Sequence, residues 1–291
     1  MSESLSILVV GHATHDRFGS GFVPGGCVYY AGQAYRAFGA RVRVATTVGE
    51  DFAFADEAFE GLEVLAERAG KTTLFTNLYP EQGRRIQILE ASAPPVVPEM
   101  LDVRHGQVDL LHLAPVFGEV SLSAWKEAVQ ARLVAISVQG WLREVGPGHA
   151  DGGGRAVISR RWEPTPNELE GVDVACLSED DLVGQPGLLE LLKAHIPIVA
   201  LTHGGDGCDV YLDDQHHHVG VFSTRTVDPT GAGDVFAAGF LFQLARGADP
   251  IEAARFGAGA ASIIIEGIAG AALGGLSKTA ERVHEISRNH L

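Results

Sequence analysis

The chain has 291 residues, 46% of them hydrophobic and 20% charged, an ordinary globular composition with enough length for a full core. A net charge of −15 argues against nucleic acid or an anionic membrane surface as partner, since an acidic surface attracts neither; a small, locally positive phosphate site remains compatible with it. Three widely spaced cysteines, Cys27, Cys176 and Cys208, have no metal-ligand spacing and fit reduced thiols in a cytoplasmic protein. The N-terminal MSESLSILVV has no basic region, and its apolar stretch is too short for a signal or a membrane span.

In chain order, Leu5–Val10 is expected as a strand closed by Gly11. Cys27–Phe38 follows Gly25-Gly26 as a helix, and Arg41–Thr47 is the next strand. Thr72–Tyr79 and Arg84–Glu90, joined by Pro80-Glu81-Gln82-Gly83, form a hairpin. With His12–Phe22 it makes a small accessory β-layer or lid. Strands are expected at Leu110–Leu113, Leu133–Ser137, Val172–Leu177 and Pro197–Thr202, and helices at Leu122–Ala131, Leu188–Ala194, Val235–Arg246 and Ile251–Ile264. Gly146–Gly154 is a loop, His216-His217-His218 a solvated hairpin tip, and Thr224–Val227 a short strand-like run. The alternation of strand and helix predicts an α/β fold with a mostly parallel sheet covered by helices on both faces, its ligands at the carboxyl ends of the strands. The chain is expected to be one domain, residues 1–291, with a lid from about 12–24 and 72–92.

The most informative motif is Asp228-Pro229-Thr230-Gly231-Ala232-Gly233-Asp234. It puts two carboxylates around a glycine turn that opens a long helix, where unsatisfied N–H groups and the helix dipole favour anions. Asp234 then suits a general base for a substrate hydroxyl, with the amides near Gly231, Ala232 and Gly233 holding a transferring phosphoryl group. The plainer alternative is a strand-to-helix turn with an acidic cap. Three companions decide between them. Gly25-Gly26 would let a ligand approach the backbone closely. Asp16, just past the first strand, can accept two sugar hydroxyls. Thr202-His203-Gly204-Gly205-Asp206-Gly207 suits a nucleotide lying on the backbone.

With these residues in this order, the chain resembles the ribokinase-like (PfkB) family of carbohydrate kinases. The di-glycine signature is Gly25-Gly26, the D-x-T-G-A-G-D signature is Asp228 to Asp234, G-x-x-x-x-D is Gly11 to Asp16, and T-x-G-x-x-G is Thr202, Gly204 and Gly207. The resemblance implies a three-layer α/β/α sandwich with a β-lid, and ATP and magnesium as cofactors. It implies Asp234 as base, Gly231, Ala232 and Gly233 as anion hole, and Asp16, Gly25 and Gly26 on the sugar. Thr202, Gly204 and Gly207 fall on the nucleotide, and Asp228 near a monovalent cation such as potassium. Lid strands in the family often pair between subunits, which makes a homodimer an expectation.

Two positions depart from the family pattern. Tyr30 stands where an Asn is common, and Ser178-Glu179-Asp180-Asp181 replaces N-x-x-E, leaving Ser178 for the phosphates and Asp181 for magnesium through water. In these departures, and in Val138-Gln139-Gly140-Trp141-Leu142-Arg143 and the aromatic lid segment, the chain is similar to plant myo-inositol kinases and their bacterial relatives. Tyr30, Gln139 and one of Arg85 and Gln87 are the expected additional substrate contacts, since alternate lid residues share a face.

Other classes fit less well. Ser277-Lys278-Thr279 lacks the glycines of a P-loop, and Gly11 stands alone where a dinucleotide fingerprint needs three. His12 or His15 with Asp16 could form a catalytic pair, but flanking the sugar site is the simpler role. A catalytically weak sugar- or nucleoside-binding sensor has the altered Ser178/Asp181 motif as its support; the intact Asp234 turn argues against it. The expected function is ATP-dependent phosphorylation of a hydroxyl on a small sugar, cyclitol or nucleoside; the sequence leaves the substrate open.

Overall fold

The computed structural model describes residues 4–78, 86–100, 107–147, 153–212 and 215–287. In chain order its elements are β1 (Ser6–Val10), β2 (Thr14–Phe18), β3 (Gly21–Gly25), α1 (Cys27–Ala37), β4 (Arg41–Val48), α2 (Ala55–Ala58), β5 (Glu63–Arg68), β6 (Thr73–Leu78) and β7 (Ile86–Ala91). There follow β8 (Val108–Leu113), α3 (Leu122–Ala128), β9 (Ala131–Ser137), β10 (Arg143–Val145), β11 (Arg155–Ser159), α4 (Pro166–Leu169), β12 (Val174–Ser178), α5 (Leu188–His195) and β13 (Ile198–Thr202). The chain continues through β14 (Cys208–Leu212), β15 (Gln215–Val219), α6 (Ala232–Ala245), α7 (Pro250–Ile264) and α8 (Thr279–Ser287).

The main sheet has nine strands in the order β15-β14-β13-β12-β9-β8-β1-β4-β5. It is parallel from β5 to β13, and β14 and β15 are added antiparallel at one edge. Successive residues of a central strand serve opposite cores, as the pleat requires. Ile7 and Val9 pack with α1, α6 and α7, whereas Leu8 and Val10 pack with Trp125 of α3, Leu169 of α4 and Leu192 of α5. Two helical layers thus sandwich one sheet. Helix α6 is apolar nearly all round and buried accordingly. It lies so close to α7 that a methyl on Gly239 would sit 3.0 Å from the Gly257 Cα.

A second sheet of six strands, in the order β10-β11-β7-β6-β2-β3, contains both of the expected lid segments. It also contains β10 and β11, which the sequence pattern does not announce. The turn joining β6 to β7 and most of the Gly146–Gly154 loop lie outside the described residues.

Three local expectations are corrected. Thr224–Val227 is irregular, because its neighbour is a helix end and not a strand: the Val227 and Asp228 N–H groups donate to the Ile265 carbonyl at 2.7 and 3.2 Å. His216–His218 lies within β15, a polar edge strand. The helix that starts at Leu122 stops at Ala128, since Ala131 already belongs to β9.

Candidate active site

The carboxyl ends of the main-sheet strands face the second sheet across a cleft of about 430 Å³. Its second-sheet wall includes Thr14 and Asp16 on β2, Phe75 and Asn77 on β6, Gln87 on β7 and Arg143, the first residue of β10. Asp16 pairs with Phe75, and Asn77 with Gln87, in adjacent strands, so these side chains share one face. The Gln87 amide donates to Asn77 Oδ1 at 3.0 Å. Arg85, the alternative to Gln87, lies outside the described residues.

Opposite stand Cys27 and Tyr30 of α1, Gln139 after β9, Ser178 at the end of β12 with Glu179 and Asp180 after it, Thr202 at the end of β13 with Gly204 after it, and Pro229 to Asp234. Ser178 and Thr202 are register partners at the ends of their strands. Asp181 borders the adjoining cavities behind this wall. One of its oxygens, Oδ2, accepts both the Ser178 N–H and the Ser178 hydroxyl at 2.8 Å. Ser178 and Asp181 therefore form a reciprocal cap, and the shorter Asp in place of Glu closes that turn.

The two glycines of the N-terminal signature have a reason that sequence alone does not give. Gly25 is not on the cleft wall. A methyl there would lie 2.6 Å from Asp16 Cγ, so glycine is what lets the Asp16 carboxylate lie across the strand end. Thr14 Oγ1 donates to Asp16 Oδ1 at 2.9 Å and completes its seat. Gly26 has φ +88°, and a methyl on it would meet the His12 carbonyl oxygen at 2.3 Å. Close approach by the chain's own atoms requires glycine at both positions, and Gly26 also lines the cleft. His12 is fully buried, between Thr73 Oγ1 at 2.9 Å and the Pro94 carbonyl at 2.8 Å. His15 is stacked on Phe22 and Phe52, and burial lowers its pKa despite the nearby Asp51 charge. Neither histidine lines the cleft.

At the C-terminal motif, Gly231 opens α6 with φ +81°, and a methyl on it would stand 2.4 Å from the Tyr30 ring. Tyr30 is thus the floor beneath the turn, and burial, then the charges of Asp16, Tyr29, Asp234 and Asp228, push its phenol far up. Of the three expected anion-hole amides, that of Ala232 is engaged by the Pro229 carbonyl at 3.1 Å, the geometry that closes the turn. Among the described residues the Gly231 and Gly233 N–H groups have no acceptor in the protein, as expected for the first turn of a helix. Asp234, in that turn, faces the cleft beside the Cys27 thiol. Burial, then the Asp234 charge and a hydrogen bond to it, drive that thiol up and keep it protonated. Asp228 points away from this centre: its oxygens accept the Thr230 and Ala269 N–H groups at 2.9 and 3.0 Å, tying the turn to the segment after α7.

A second groove of about 420 Å³ continues from the turn. Gly204, Gly207, Val221, Phe222, Ala261 and Ile265 are among its walls. Gly204 and Gly207, with φ +55° and +102°, shape the loop that borders it. Arg143, Asn77 and Cys27 were not singled out as site residues from sequence. Asn77 shares the alternation that points to Gln87. Arg143, the only cation among the described lining residues of the main cleft, ends the Val138–Arg143 stretch and donates to the Val116 carbonyl at 3.1 Å.

A model of the pfkB family of carbohydrate kinases matches residues 105–272, and the chain belongs to that family. Inositol 3-kinase from Oryza sativa subsp. japonica is 30% identical over 227 residues, which is 75% of this chain and 56% of that protein. The 5-dehydro-2-deoxygluconokinase of Bacillus anthracis is 42% identical over 72 residues, 24% of this chain and 22% of that protein. The chain thus spans about a fifth to about half of the length of these relatives. Among solved structures, a pyrophosphate-dependent myo-inositol-1 kinase converted to a myo-inositol-3 kinase superposes with TM-score 0.75 at 20% identity, covering 96% of this chain and 99% of that one. Arabidopsis thaliana ribokinase with ribose and ATP superposes with TM-score 0.73 at 18% identity, over 97% and 99% of the two chains. The fold is therefore ribokinase-like: a three-layer α/β sandwich with a mixed sheet.

Proposed function

We propose that the chain transfers the γ-phosphoryl group of ATP to a hydroxyl of a small polyhydroxylated acceptor, a cyclitol or sugar. One observation carries this: Asp234 stands in the first turn of α6 beside two unengaged glycine amides, across the cleft from a wall of hydroxyl-binding groups. Asp16, Asn77, Gln87 and Gln139 supply acceptors and donors suited to several adjacent hydroxyls. Asp234 takes the proton of the attacking hydroxyl as the bond to phosphorus forms. The Gly231 and Gly233 amides, with the α6 dipole and Arg143, stabilise charge on the phosphoryl oxygens.

The apolar groove lined by Val221, Phe222, Ala261 and Ile265 fits a planar base and supports a nucleotide as donor. A bare pyrophosphate, the donor named for some fold neighbours, would leave that groove unused. Magnesium fits beside Asp181: with Oδ2 committed to the cap, Oδ1 is left for a metal-bound water. When bound, the metal neutralises donor phosphates. Both Asp228 oxygens already hold backbone N–H groups, so potassium near it would draw on their remaining lone pairs and on nearby carbonyls. Movement of the second sheet over the acceptor would exclude water; pairing of that sheet between two copies belongs to the same proposal.

The test is ADP release over a panel of inositols, sugars and nucleosides, with pyrophosphate as an alternative donor. Asp234→Asn is expected to lose at least about 10²-fold in turnover while ATP binding persists. Near-normal turnover of that variant would remove Asp234 as the base. No turnover by the wild type on any acceptor would favour the binding-only reading.

A further inference from the structure

His203 has no part in the transfer just described, yet it sits inside the Thr202–Gly207 turn. Both of its ring nitrogens face carboxylates: Nδ1 is 3.2 Å from Glu179 Oε2, and Nε2 is 3.0 Å from Asp209 Oδ2. Ionised carboxylates only accept hydrogen bonds, and a neutral imidazole has one N–H to give. A ring between two carboxylates satisfies both only when it carries two protons.

The two partners belong to different elements. Glu179 follows Ser178 in the turn after β12, and Asp209 stands on β14. The other Asp209 oxygen faces His216 Nε2 at 3.1 Å and His218 Nδ1 at 2.7 Å, both on β15. These four groups, two in direct contact and two through Asp209, are the titratable side chains that face His203. Among the described residues no three His, Cys, Asp or Glu side chains are disposed to hold a metal ion.

We propose that His203, as an imidazolium, is a positioning residue that clamps the 178–182 turn to the 202–207 turn and so fixes the donor end of the cleft. The inference rests on the phosphotransfer reading for its function but not for its chemistry. Ser178 and Thr202, which the two turns carry, line the cleft side by side. Glu179 also lines it. Without the imidazolium that carboxylate would face an incoming polyanion uncompensated, so the clamp both holds a spacing and removes a repulsion.

Its pH dependence has a definite sign. Partial burial would lower the His203 pKa, but hydrogen bonds to Glu179 and Asp209, and their charges, outweigh it and raise the pKa above 6.5. Below that ordinary value the ring is protonated folded or unfolded, and the clamp contributes fully. As pH rises through the raised folded-state pKa, the proton leaves and one arm opens. The Glu179 arm is the longer, and Glu179 is 61% exposed, so it is the arm that opens.

The experiment measures MgADP binding at equilibrium between about pH 6 and pH 9, with 15N-histidine spectra of the same full-length samples. In the wild type, affinity is expected to weaken about three- to fivefold across the range, the size of a partly exposed ion pair. His203→Gln should bind more weakly at the acid end, with a flat profile and little change in kcat at saturating substrates, and Glu179→Gln, which removes the arm and its charge together, should flatten the profile as well. The spectrum assigned to His203 by its loss in His203→Gln should have both nitrogens protonated near pH 6.5. A pH-independent wild-type affinity, a variant with the wild-type profile, or a singly protonated ring would overturn the clamp. Turnover distinguishes the two proposals: an active enzyme with a flat binding profile loses the clamp alone, and an inactive protein with the predicted profile loses the kinase reading alone.

Discussion

Gly25→Ala reaches the acceptor side of the cleft and leaves the donor side untouched. Gly25 is buried at the end of β3, paired with Thr14, and its φ is outside the left-handed region, so alanine can adopt its backbone. The new methyl would lie 2.6 Å from Asp16 Cγ and 2.7 Å from both carboxylate oxygens. An ordinary contact begins at 3.4 Å, so the carboxylate must retreat by about 0.8 Å. That retreat also breaks its 2.9 Å bond from Thr14 Oγ1. A misplacement near 1 Å costs up to about 10²-fold in rate, or about 2.7 kcal/mol of transition-state stabilisation. Stability should change little, since replacing glycine contributes about 0.4–1 kcal/mol through the unfolded chain and local crowding offsets it. Steady-state ADP release with the best acceptor is the assay. The acceptor kcat/KM is expected to fall about 30- to 100-fold, with the donor KM within about twofold and Tm within a few degrees. A variant with acceptor kcat/KM within about threefold of wild type would mean that Asp16 does not hold the acceptor, and the geometric argument fails.

Two further perturbations probe the C-terminal motif. Gly231→Ala forces a side chain onto φ +81° and drives it to 2.4 Å from the Tyr30 ring; turnover should fall more than about 10²-fold, and Tm should drop by several degrees. Unchanged activity would refute the turn as the phosphoryl cradle. Asp228→Asn probes acid stability. Burial pushes the Asp228 carboxyl up, but bonds from the Ala269 N–H and from the Thr230 hydroxyl and N–H hold it below its ordinary 3.8. A depressed carboxylate stabilises the fold above the unfolded pKa, and that contribution is lost as pH falls through the folded value. The wild type should lose Tm below about pH 4 more steeply than Asp228→Asn, and parallel Tm–pH curves would remove this role.

What was legible from the sequence divides along the two sheets. Strands such as Ser6–Val10 are buried on both faces, so they read as continuous apolar runs bounded by glycine, and the turns at their carboxyl ends carry compact motifs. The Asp228–Asp234 and Thr202–Gly207 turns were therefore found with their residues in place. The second sheet is half-solvated, and its strands are short and mixed. Arg143–Val145 and Arg155–Ser159 pass below the threshold of any local pattern, and Glu63–Arg68, on the edge of the main sheet, alternates charge with apolar residues like a surface segment. His216–His218 looked like a turn because an edge strand can be wholly polar, its partner supplied by Cys208–Leu212.

The same division explains which cleft residues were missed and why the packing role of Gly25 was not legible. Asp234 and Gly231 are placed by the helix that they begin, a relation between near neighbours in sequence. Asn77, Gln87 and Asp16 are brought together by registers between β2, β6 and β7; that of β2 with β6 joins positions about sixty residues apart, and only the folded sheet sets it. Gly25 belongs to the second kind: it is glycine because Asp16 lies across it. The signature that identifies the family is thus partly a packing requirement of one catalytic-cleft carboxylate, and a substitution there should be read first through Asp16 and only then through the ligand.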